Sequence, residues 1–199
     1  GKTIDIHGKF AIFIKHKKGA QMFNITSRSP MYDQDAVQPM RDELVAVGFE
    51  ELLSAEDVDN AIKNNEDKTV LAMINSVCGC AAGSARPGVS LALQNDIIPD
   101  KIYTGFAGQE RDVVERLRQH IKGFPPSSPS IALFKNGELV HFVQRLDIEG
   151  YSAEQIAENL KNIFNENCSA KGPSITPEQF SQVMHAKQCG SKIPLFEGK

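Results

Sequence analysis

The sequence predicts an α/β fold in which a four-stranded mixed sheet is flanked by helices, with extra N-terminal helices and a C-terminal helical extension. Three observations predict it. Residues 69–77 form a nearly continuous apolar run, which is typical of a strand covered on both faces. From there to residue 164, strand-like and helix-like patterns alternate. Asn136-Gly137 lies between two short apolar segments and is the strongest short signal for a β-hairpin.

The composition is that of an ordinary globular protein. The chain has 199 residues, of which 41% are hydrophobic and 24% charged, so it can bury a core without disulfides. This length fits one domain with additions, or at most two small domains. The formal net charge is −3, tryptophan is absent, and aromatic residues make up only 7%. The net charge does not favour binding to nucleic acid, and the low aromatic content disfavours a surface on which bases stack. We therefore expect no nucleic-acid partner.

The sequence contains no long apolar segment. The longest candidate, residues 10–14, falls far short of the roughly 20 apolar residues that a membrane span needs. It is also too short for the core of a secretory signal, and no cleavage pattern follows it. We therefore expect no membrane partner and a cytoplasmic location. Thiols stay reduced there, so closely spaced cysteines are more often catalytic or metal-binding than structural.

Residues 1–30 are predicted to be an N-terminal extension. The first 21 residues carry five lysines against one aspartate. The patterns at 3–6 and 10–15 fit a hairpin around Gly8. A basic arm for an anionic partner is the alternative.

Two helices are predicted next. Pro39 is expected near the first turn of the first helix, which Gly48 closes. Ser54 and Asp57 resemble a capping box at the start of the second helix. Apolar residues recur at helical spacing in both helices: Met40, Leu44, Val47, Val58 and Ile62.

The sheet and its helices follow in the order strand, helix, strand, helix, strand, strand, helix, over residues 69–77, 81–94, 101–106, 112–121, 130–134, 139–144 and 152–164. Pro87 should kink the first of these helices, because it removes the hydrogen bond to the carbonyl of Gly83. A helical crossover joins parallel strands, whereas the Asn-Gly hairpin joins antiparallel ones. This order is the minimal topology of a thioredoxin-like fold, which we assign to residues 31–168.

Residues 169–199 are predicted to be a C-terminal extension. Gly172-Pro173 breaks the preceding helix, and a short helix starts at Thr176. Its apolar stripe consists of Phe180, Val183 and Met184. We expect this stripe to dock on the core, the alternative being a dimer contact or a partner-binding helix.

Cys78-Gly79-Cys80 lies where the first core strand ends and the following helix begins. The free N–H groups and partial positive charge of a helix N-terminus favour the thiolate, which is the attacking species. Gly79 lets the backbone turn sharply enough to bring the two sulfurs together. A disulfide across this short spacing is strained and therefore easily reduced. We predict thiol–disulfide exchange or isomerisation, and not strong reduction of stable disulfides, with Cys78 and Cys80 as the catalytic pair.

Three other interpretations of this cysteine pair stay open. The cysteines could be reduced packing residues beneath a helix. They could also bind zinc or copper(I) together with Cys168, Cys189 or His141, although no second closely spaced pair completes a zinc-finger pattern. Finally, the chain could be a non-catalytic adaptor whose cysteines are vestigial.

Ser128-Pro129 immediately precedes the strand that should lie beside the redox strand, which is the strand at residues 69–77 that leads to Cys78. Thioredoxin-like proteins place a cis-proline there, facing the active cysteines, and the neighbouring backbone pairs with the substrate. We therefore predict a cis bond before Pro129 and a substrate-binding role for Ser128 and Pro129, with Gly79 opposite. An ordinary proline-rich turn is the alternative.

Other polar residues are weaker candidates. Arg86 could hold an anionic thiol or the thiolate, or could lie on a solvated helix face. Asn75 and Ser76 are candidates for orienting the site. We expect His120 and His141 to be surface or hydrogen-bonded histidines and not acid–base groups.

Several segments resemble the bacilliredoxin family. They are NSVCGCAAG at 75–83 with ARP at 85–87, FAGQ at 106–109, PSSPS at 126–130, VHF at 140–142 and IEG at 148–150. The resemblance extends from about residue 31 to Cys168, where the family typically has a C-terminal cysteine. Residues 1–30 and 169–199, including Cys189, lie outside it.

The resemblance implies a thioredoxin-like enzyme that removes bacillithiol from mixed disulfides on cytosolic proteins. It also implies a link to disulfide isomerase activity. By position, Cys78 would attack and take up bacillithiol, Cys80 would resolve the adduct, and Pro129 would be the cis-proline. Bacillithiol would then be a thiol co-substrate, and no cofactor would be bound. In a host without bacillithiol, glutathione, coenzyme A or protein thiols would take its place.

Overall fold

A computed structural model of the protein describes residues 28–65, 67–186 and 193–198. The hairpin predicted near the N-terminus and Cys189 lie outside the described residues. The helices are α1 (Gln34–Val45), α2 (Ala55–Lys63), α3 (Arg86–Ala92), α4 (Arg111–His120), α5 (Ala153–Asn167) and α6 (Pro177–Phe180). The strands are β1 (Glu50–Glu51), β2 (Thr69–Asn75), β3 (Ile97–Ile98), β4 (Lys101–Phe106), β5 (Ser130–Lys135), β6 (Glu138–Val143) and β7 (Ala170–Lys171).

The two predicted N-terminal helices are present. Asp33 begins α1 by accepting a hydrogen bond from the N–H of Ala36 at 3.0 Å. Pro39 is therefore the sixth residue of α1, inside the helix, and its predicted place near the first turn was wrong. The capping box of Ser54 and Asp57 at the start of α2 is confirmed, with both side chains bonded to backbone N–H groups.

Five strands form the central sheet in the order β1-β4-β2-β5-β6. β2 pairs with β4 in parallel and with β5 antiparallel, and the hairpin adds β6 antiparallel to β5. These four strands and their pairing are the predicted ones, and with helices on both faces they make a thioredoxin fold. The structure adds β1 beside β4, a two-residue strand of glutamates with no apolar pattern that could have predicted it.

β2 is buried along its whole length because helices cover both faces of the sheet. Leu71 and Met73 face the cluster formed with α1, α3 and α5, whereas Val70, Ala72 and Ile74 face the cluster formed with α2 and α4. The continuous apolar run thus has the structural reason predicted for it.

The helix after β2 is interrupted as predicted. Ala81–Ala85 form a π-helical turn, and α3 starts directly after it with Pro87 as its second residue. At the hairpin between β5 and β6, Asn136 and Gly137 both have positive φ, of 54° and 75°. These are the backbone conformations that a two-residue hairpin turn requires.

The described part of the C-terminal extension packs on the core. β7 pairs with β3, and Phe180 and Val183 pack against the large apolar cluster, as predicted. Met184 is 85% exposed, so its predicted docking was wrong. Ile193 is buried beside Val77 at the end of the redox strand. Among the residues described, no helix is long and apolar enough to cross a membrane.

Candidate redox site

The two cysteines lie in the short connection between β2 and the π-helical turn. Cys78 and Cys80 are half-buried, and Gly79 between them is exposed. Their sulfur atoms are 2.7 Å apart, longer than the ~2.05 Å of a disulfide bond, and both cysteines are free thiols. The segment therefore holds a half-buried dithiol on either side of an exposed glycine.

Cys78 is the more acidic of the two thiols. Partial burial opposes its ionisation, but hydrogen bonds from the Cys80 thiol and the Ser76 hydroxyl outweigh this. The N–H of Ala81 also donates to the Cys78 sulfur at 3.4 Å. Together with the positive charge of Arg145, these contacts lower the pKa of Cys78 below its ordinary value. Cys78 is thus the sulfur suited to nucleophilic attack.

Cys80 is held in its protonated form. Burial, its hydrogen bond to Cys78 and the charge on Cys78 raise the pKa of the Cys80 thiol to about 11. The pair titrates as a unit, because the thiolate on Cys78 is stabilised by the same proton that Cys80 retains. The arrangement provides one sulfur that ionises more readily and one proton donor.

Arg145 supplies the positive charge of the site, and sequence reasoning missed it. Its side chain is 45% exposed and weakly paired with Glu149, at 3.6 Å. Its backbone N–H donates to the Ser127 hydroxyl at 2.7 Å, which ties it to the loop before Pro129. The thiolates of Cys80 and Cys78 raise the pKa of Arg145. Only the fold brings Arg145 beside residues more than sixty positions away, so no local pattern could have found it.

The peptide bond between Ser128 and Pro129 is cis, as predicted. Pro129 is buried and Ser128 is half-buried. The register of β2 against β5 pairs Ile74 with Ser130, so its next step places Pro129 beside Asn75, at the end of the strand that leads to the cysteines. Among the described residues, the backbone groups of Ser128 have no hydrogen-bond partner.

Arg86 does not have the position predicted for it. Its side chain is completely buried, so it neither lies on a solvated helix face nor reaches a bound thiol. It pairs with Glu43 at 2.8 Å and donates to the carbonyl of Ser76 at 3.0 Å. Sequence patterns predicted its helix but could not place the buried acid from α1 that pairs with it.

Comparison with known proteins identifies the family. Residues 32–168 match the family described as "Disulphide isomerase". A bacilliredoxin of Staphylococcus aureus strain NCTC 8325 is 43% identical over 141 residues, which are 71% of this chain and 96% of the relative. The chain belongs to the bacilliredoxin family, which the family model describes as disulphide isomerase. It is accordingly a thiol–disulfide oxidoreductase. A bacilliredoxin of strain MRSA252 matches with the same identity and coverage.

Solved structures with the same general fold are more distant. A thioredoxin of Malassezia sympodialis is 16% identical and covers 60% of this chain and 90% of its own, with a TM-score of 0.40. The thioredoxin-like domain of Arabidopsis NCP is 15% identical and covers 76% and 93%, with a TM-score of 0.43.

The other metal or acid–base candidates lie away from the pair. Cys168 lies beside Thr69 at the opposite end of β2, and burial raises the pKa of its thiol. His141 is exposed on β6, and His120 is bonded to Asp59 at 2.9 Å. Within the described ranges, no three histidine, cysteine or acidic side chains are grouped as a metal site requires.

Proposed function

We propose that the protein removes bacillithiol, or a similar low-molecular-weight thiol, from mixed disulfides on cytosolic proteins. The observation that carries this proposal is the division of roles between two sulfurs 2.7 Å apart, one of which ionises readily while the other keeps its proton. The bacilliredoxin relatives support the same reaction class. The identity of the small thiol rests on the resemblance to them.

In the first step, the Cys78 thiolate attacks the bacillithiol sulfur of the mixed disulfide. A new bond forms between Cys78 and bacillithiol, the old disulfide bond breaks, and the target protein leaves as a thiolate. That thiolate takes a proton from solvent or from the Cys80 thiol. Arg145 is placed to stabilise the negative charge shared among the three sulfurs during the transfer.

In the second step, Cys80 attacks the Cys78 sulfur and releases bacillithiol as a thiolate. The negative charge on Cys78 and its hydrogen bond with Cys80 both raise the pKa of Cys80. When Cys78 is bonded to bacillithiol, that negative charge is gone. Cys80 therefore becomes easier to deprotonate at the stage when it is needed. The products are two free thiols from the mixed disulfide and a Cys78–Cys80 disulfide, which a second thiol compound must reduce before another cycle.

The target's polypeptide would bind between the exposed turn at Gly79 and the loop at Ser128 and Pro129. The backbone groups of Ser128, which have no hydrogen-bond partner within the described part of the chain, offer one donor and one acceptor to an extended segment of the target. We therefore assign substrate binding to Gly79, Ser128 and Pro129, and we do not extend it to the buried Arg86.

The test is transfer of the small thiol, followed by intact mass and peptide mapping. The reduced full chain is mixed with a bacillithiol-modified target and, in parallel, with a glutathione-modified one. We expect the target to lose its adduct and Cys80→Ser to retain that adduct on Cys78. Cys78→Ser is the matched control and should leave the target modified.

Two results would contradict the proposal. One is a target that stays modified while Cys78 carries no adduct and forms no disulfide with Cys80. The other is transfer that persists in Cys78→Ser. Preference for the glutathione-modified target would keep the reaction but replace bacillithiol as the co-substrate.

The family description favours disulfide isomerisation as a second activity of the same site. Here Cys78 would attack a non-native disulfide within a target and form a mixed disulfide with it. After the target's thiols and disulfides rearrange, a target thiol would attack that mixed disulfide, form the native bond and release Cys78 unchanged. No net oxidation occurs. Recovery of activity by a scrambled model protein without any added small thiol would support this, and loss of recovery in Cys78→Ser but not in Cys80→Ser would separate it from reduction.

A further inference from the structure

A buried ion pair lies directly behind the redox turn. Glu43 of α1 and Arg86 of α3 are both fully buried, with Arg86 Nε 2.8 Å from Glu43 Oε2. Two charges taken out of water cost free energy unless every polar atom finds a partner. The partners of this pair therefore indicate what it holds in place.

On one side, the ion pair holds the backbone of Ser76. Arg86 Nη1 donates to the Ser76 carbonyl at 3.0 Å and to the side-chain oxygen of Asn75 at 3.2 Å. The same Asn75 oxygen accepts the Ser76 N–H at 2.8 Å. Both backbone groups of Ser76 are thus fixed, and its hydroxyl is left beside Cys78, whose N–H it accepts at 3.2 Å and whose thiolate it stabilises.

On the other side, the ion pair holds the C-terminal extension. Arg86 Nη2 donates to the carbonyl of Ala186 at 3.0 Å, and the N–H of Ala186 donates to Glu43 Oε2 at 3.1 Å. His185 Nδ1 lies 2.7 Å from Glu43 Oε1 and donates to it, since the carboxylate bound to Arg86 is an acceptor. These contacts come from residues beyond the family match, which ends at residue 168.

We propose that His185 and Ala186 are positioning residues for the redox reaction, acting through Glu43 and Arg86 on Ser76 and hence on Cys78. Without His185, one oxygen of the buried Glu43 loses its donor. A carboxylate oxygen without a donor attracts the Arg86 guanidinium or binds water. Either change weakens the hydrogen bonds by which Arg86 positions Asn75 and Ser76. The Cys78 thiolate then loses part of its hydrogen bonding. This inference rests on the proposed function only in taking Cys78 as the nucleophile.

The experiment compares three full-length variants with the wild type by the pH profile of Cys78 alkylation, read by peptide-resolved mass spectrometry. His185→Ala removes the donor. His185→Asn keeps a donor nitrogen at a similar position. Met184→Ala is the matched control, because the neighbouring Met184 is exposed and its side chain has no N–H or O–H to donate to the ion pair.

We expect His185→Ala to move the profile to higher pH and to slow alkylation at neutral pH by about threefold or more, because less thiolate is present. His185→Asn should lie between His185→Ala and the wild type, and Met184→Ala should coincide with the wild type. Thermal unfolding of each variant is recorded alongside. If His185→Ala does not fold, His185→Leu takes its place, since it fills the space without a donor.

The proposal is overturned if the donor-free variant folds and its profile coincides with that of Met184→Ala. It is also overturned if the donor-free variant and Met184→Ala both shift from the wild type by the same amount, because a general loosening of the segment would then explain the effect. Alkylation does not involve a mixed disulfide, so a failed transfer reaction with a shifted profile would count against the proposed function and leave this inference standing.

Discussion

Cys78 and Cys80 carry the same functional group, and the difference between them comes from where their hydrogen bonds point. Cys78 accepts hydrogen bonds from Cys80, Ser76 and the N–H of Ala81, whereas Cys80 mainly donates to Cys78. The proton between the sulfurs therefore stays on Cys80. At the scale of single residues, this asymmetry decides which sulfur attacks.

Replacing Cys80 tests the asymmetry directly. Cys80→Ala removes the hydrogen bond to Cys78, so we expect the pKa of Cys78 to rise and its thiolate fraction at neutral pH to fall. Cys80→Ser keeps a hydroxyl donor and should raise that pKa less. The ultraviolet absorbance of the thiolate, titrated with pH, measures both. Equal pKa values in the two variants would show that the Cys80 proton does not stabilise the thiolate.

The titration of the Cys78–Cys80 pair has a predicted form of its own, which is followed in a Cys168→Ser, Cys189→Ser background so that the other two thiols do not contribute. Thiolate is present above the pKa, so absorbance should first rise at a pH below the range of an ordinary cysteine, as Cys78 ionises. A second rise near pH 11 is expected when the pair loses its remaining proton, which Cys80 carries. Cys78→Ser should abolish the first rise and shift the second to lower pH, because it removes the charge that raises the pKa of Cys80. A single rise at the ordinary cysteine value would contradict the coupling.

Arg145 should act on the thiols through charge alone. Arg145→Gln should raise the pKa of Cys78 at low ionic strength, and should raise it less in salt, because the side chain is 45% exposed and its field is screened. Lys63→Gln is the control, since it removes the same charge at the C-terminal end of α2, near the opposite end of β2. A salt-independent effect, or an equal effect of the control, would argue against a local electrostatic role.

The sequence was sufficient where a position follows from local pattern. The cysteine pair and the cis bond before Pro129 could both be inferred from a strand, a turn and a proline at the right place. Arg86 was misplaced and Arg145 was missed, because the partners of each are distant in sequence. Their roles depend on burial and on charge pairing, which appear only when the chain is folded.

At the scale of elements, the site depends on close packing of α3 against α5. A Cβ added at Gly88 would lie 2.8 Å from the Cβ and Cγ2 atoms of Ile156 and 3.0 Å from the Ala153 carbonyl oxygen. These atoms belong to the core and to the backbone, so they cannot move aside freely. Glycine is thus required at position 88 because α3 and α5 pack too closely for a side chain there, and not because the backbone adopts a positive φ.

Gly88→Ala should therefore lower the free energy of unfolding by about 1–3 kcal/mol, the usual cost of overpacking. Gly83→Ala is the matched control, because a Cβ at Gly83 would meet no atom within 4 Å. That substitution should be neutral or slightly stabilising, since alanine restricts the unfolded chain. Denaturant unfolding measures both. A Gly88→Ala protein as stable as the control would mean that α3 and α5 separate without loss.

Element types were predictable because each follows from a local period or cap. The all-buried β2, the capped α2 and the Asn136-Gly137 hairpin all have their cause within a few residues. β1 was missed because two glutamates carry no strand signal, and its existence depends on the edge of β4 being free to pair. The same limitation applies to Pro39, whose place within α1 depends on where Asp33 starts the helix.

At the scale of the whole molecule, the two ends of β2 have different roles. The end at Asn75 leads to the redox pair, and the end at Thr69 meets Cys168. A strand of seven residues at ~3.3 Å per residue separates them by ~20 Å. A disulfide needs Cα atoms within about 7 Å of one another, so Cys78 and Cys168 cannot be joined in the folded protein.

Oxidation of the folded chain with one equivalent of a disulfide reagent should therefore yield the Cys78–Cys80 linkage and no Cys78–Cys168 linkage. Burial raises the pKa of Cys168, so this thiol should also be alkylated more slowly than Cys78 until denaturant is added. Cys168→Ser should leave transfer of the small thiol unchanged. Peptide mapping with and without denaturant measures all three outcomes. A native Cys78–Cys168 peptide pair would require the C-terminal end of α5 to leave the core, and would mean that the redox cycle includes a large opening of the fold.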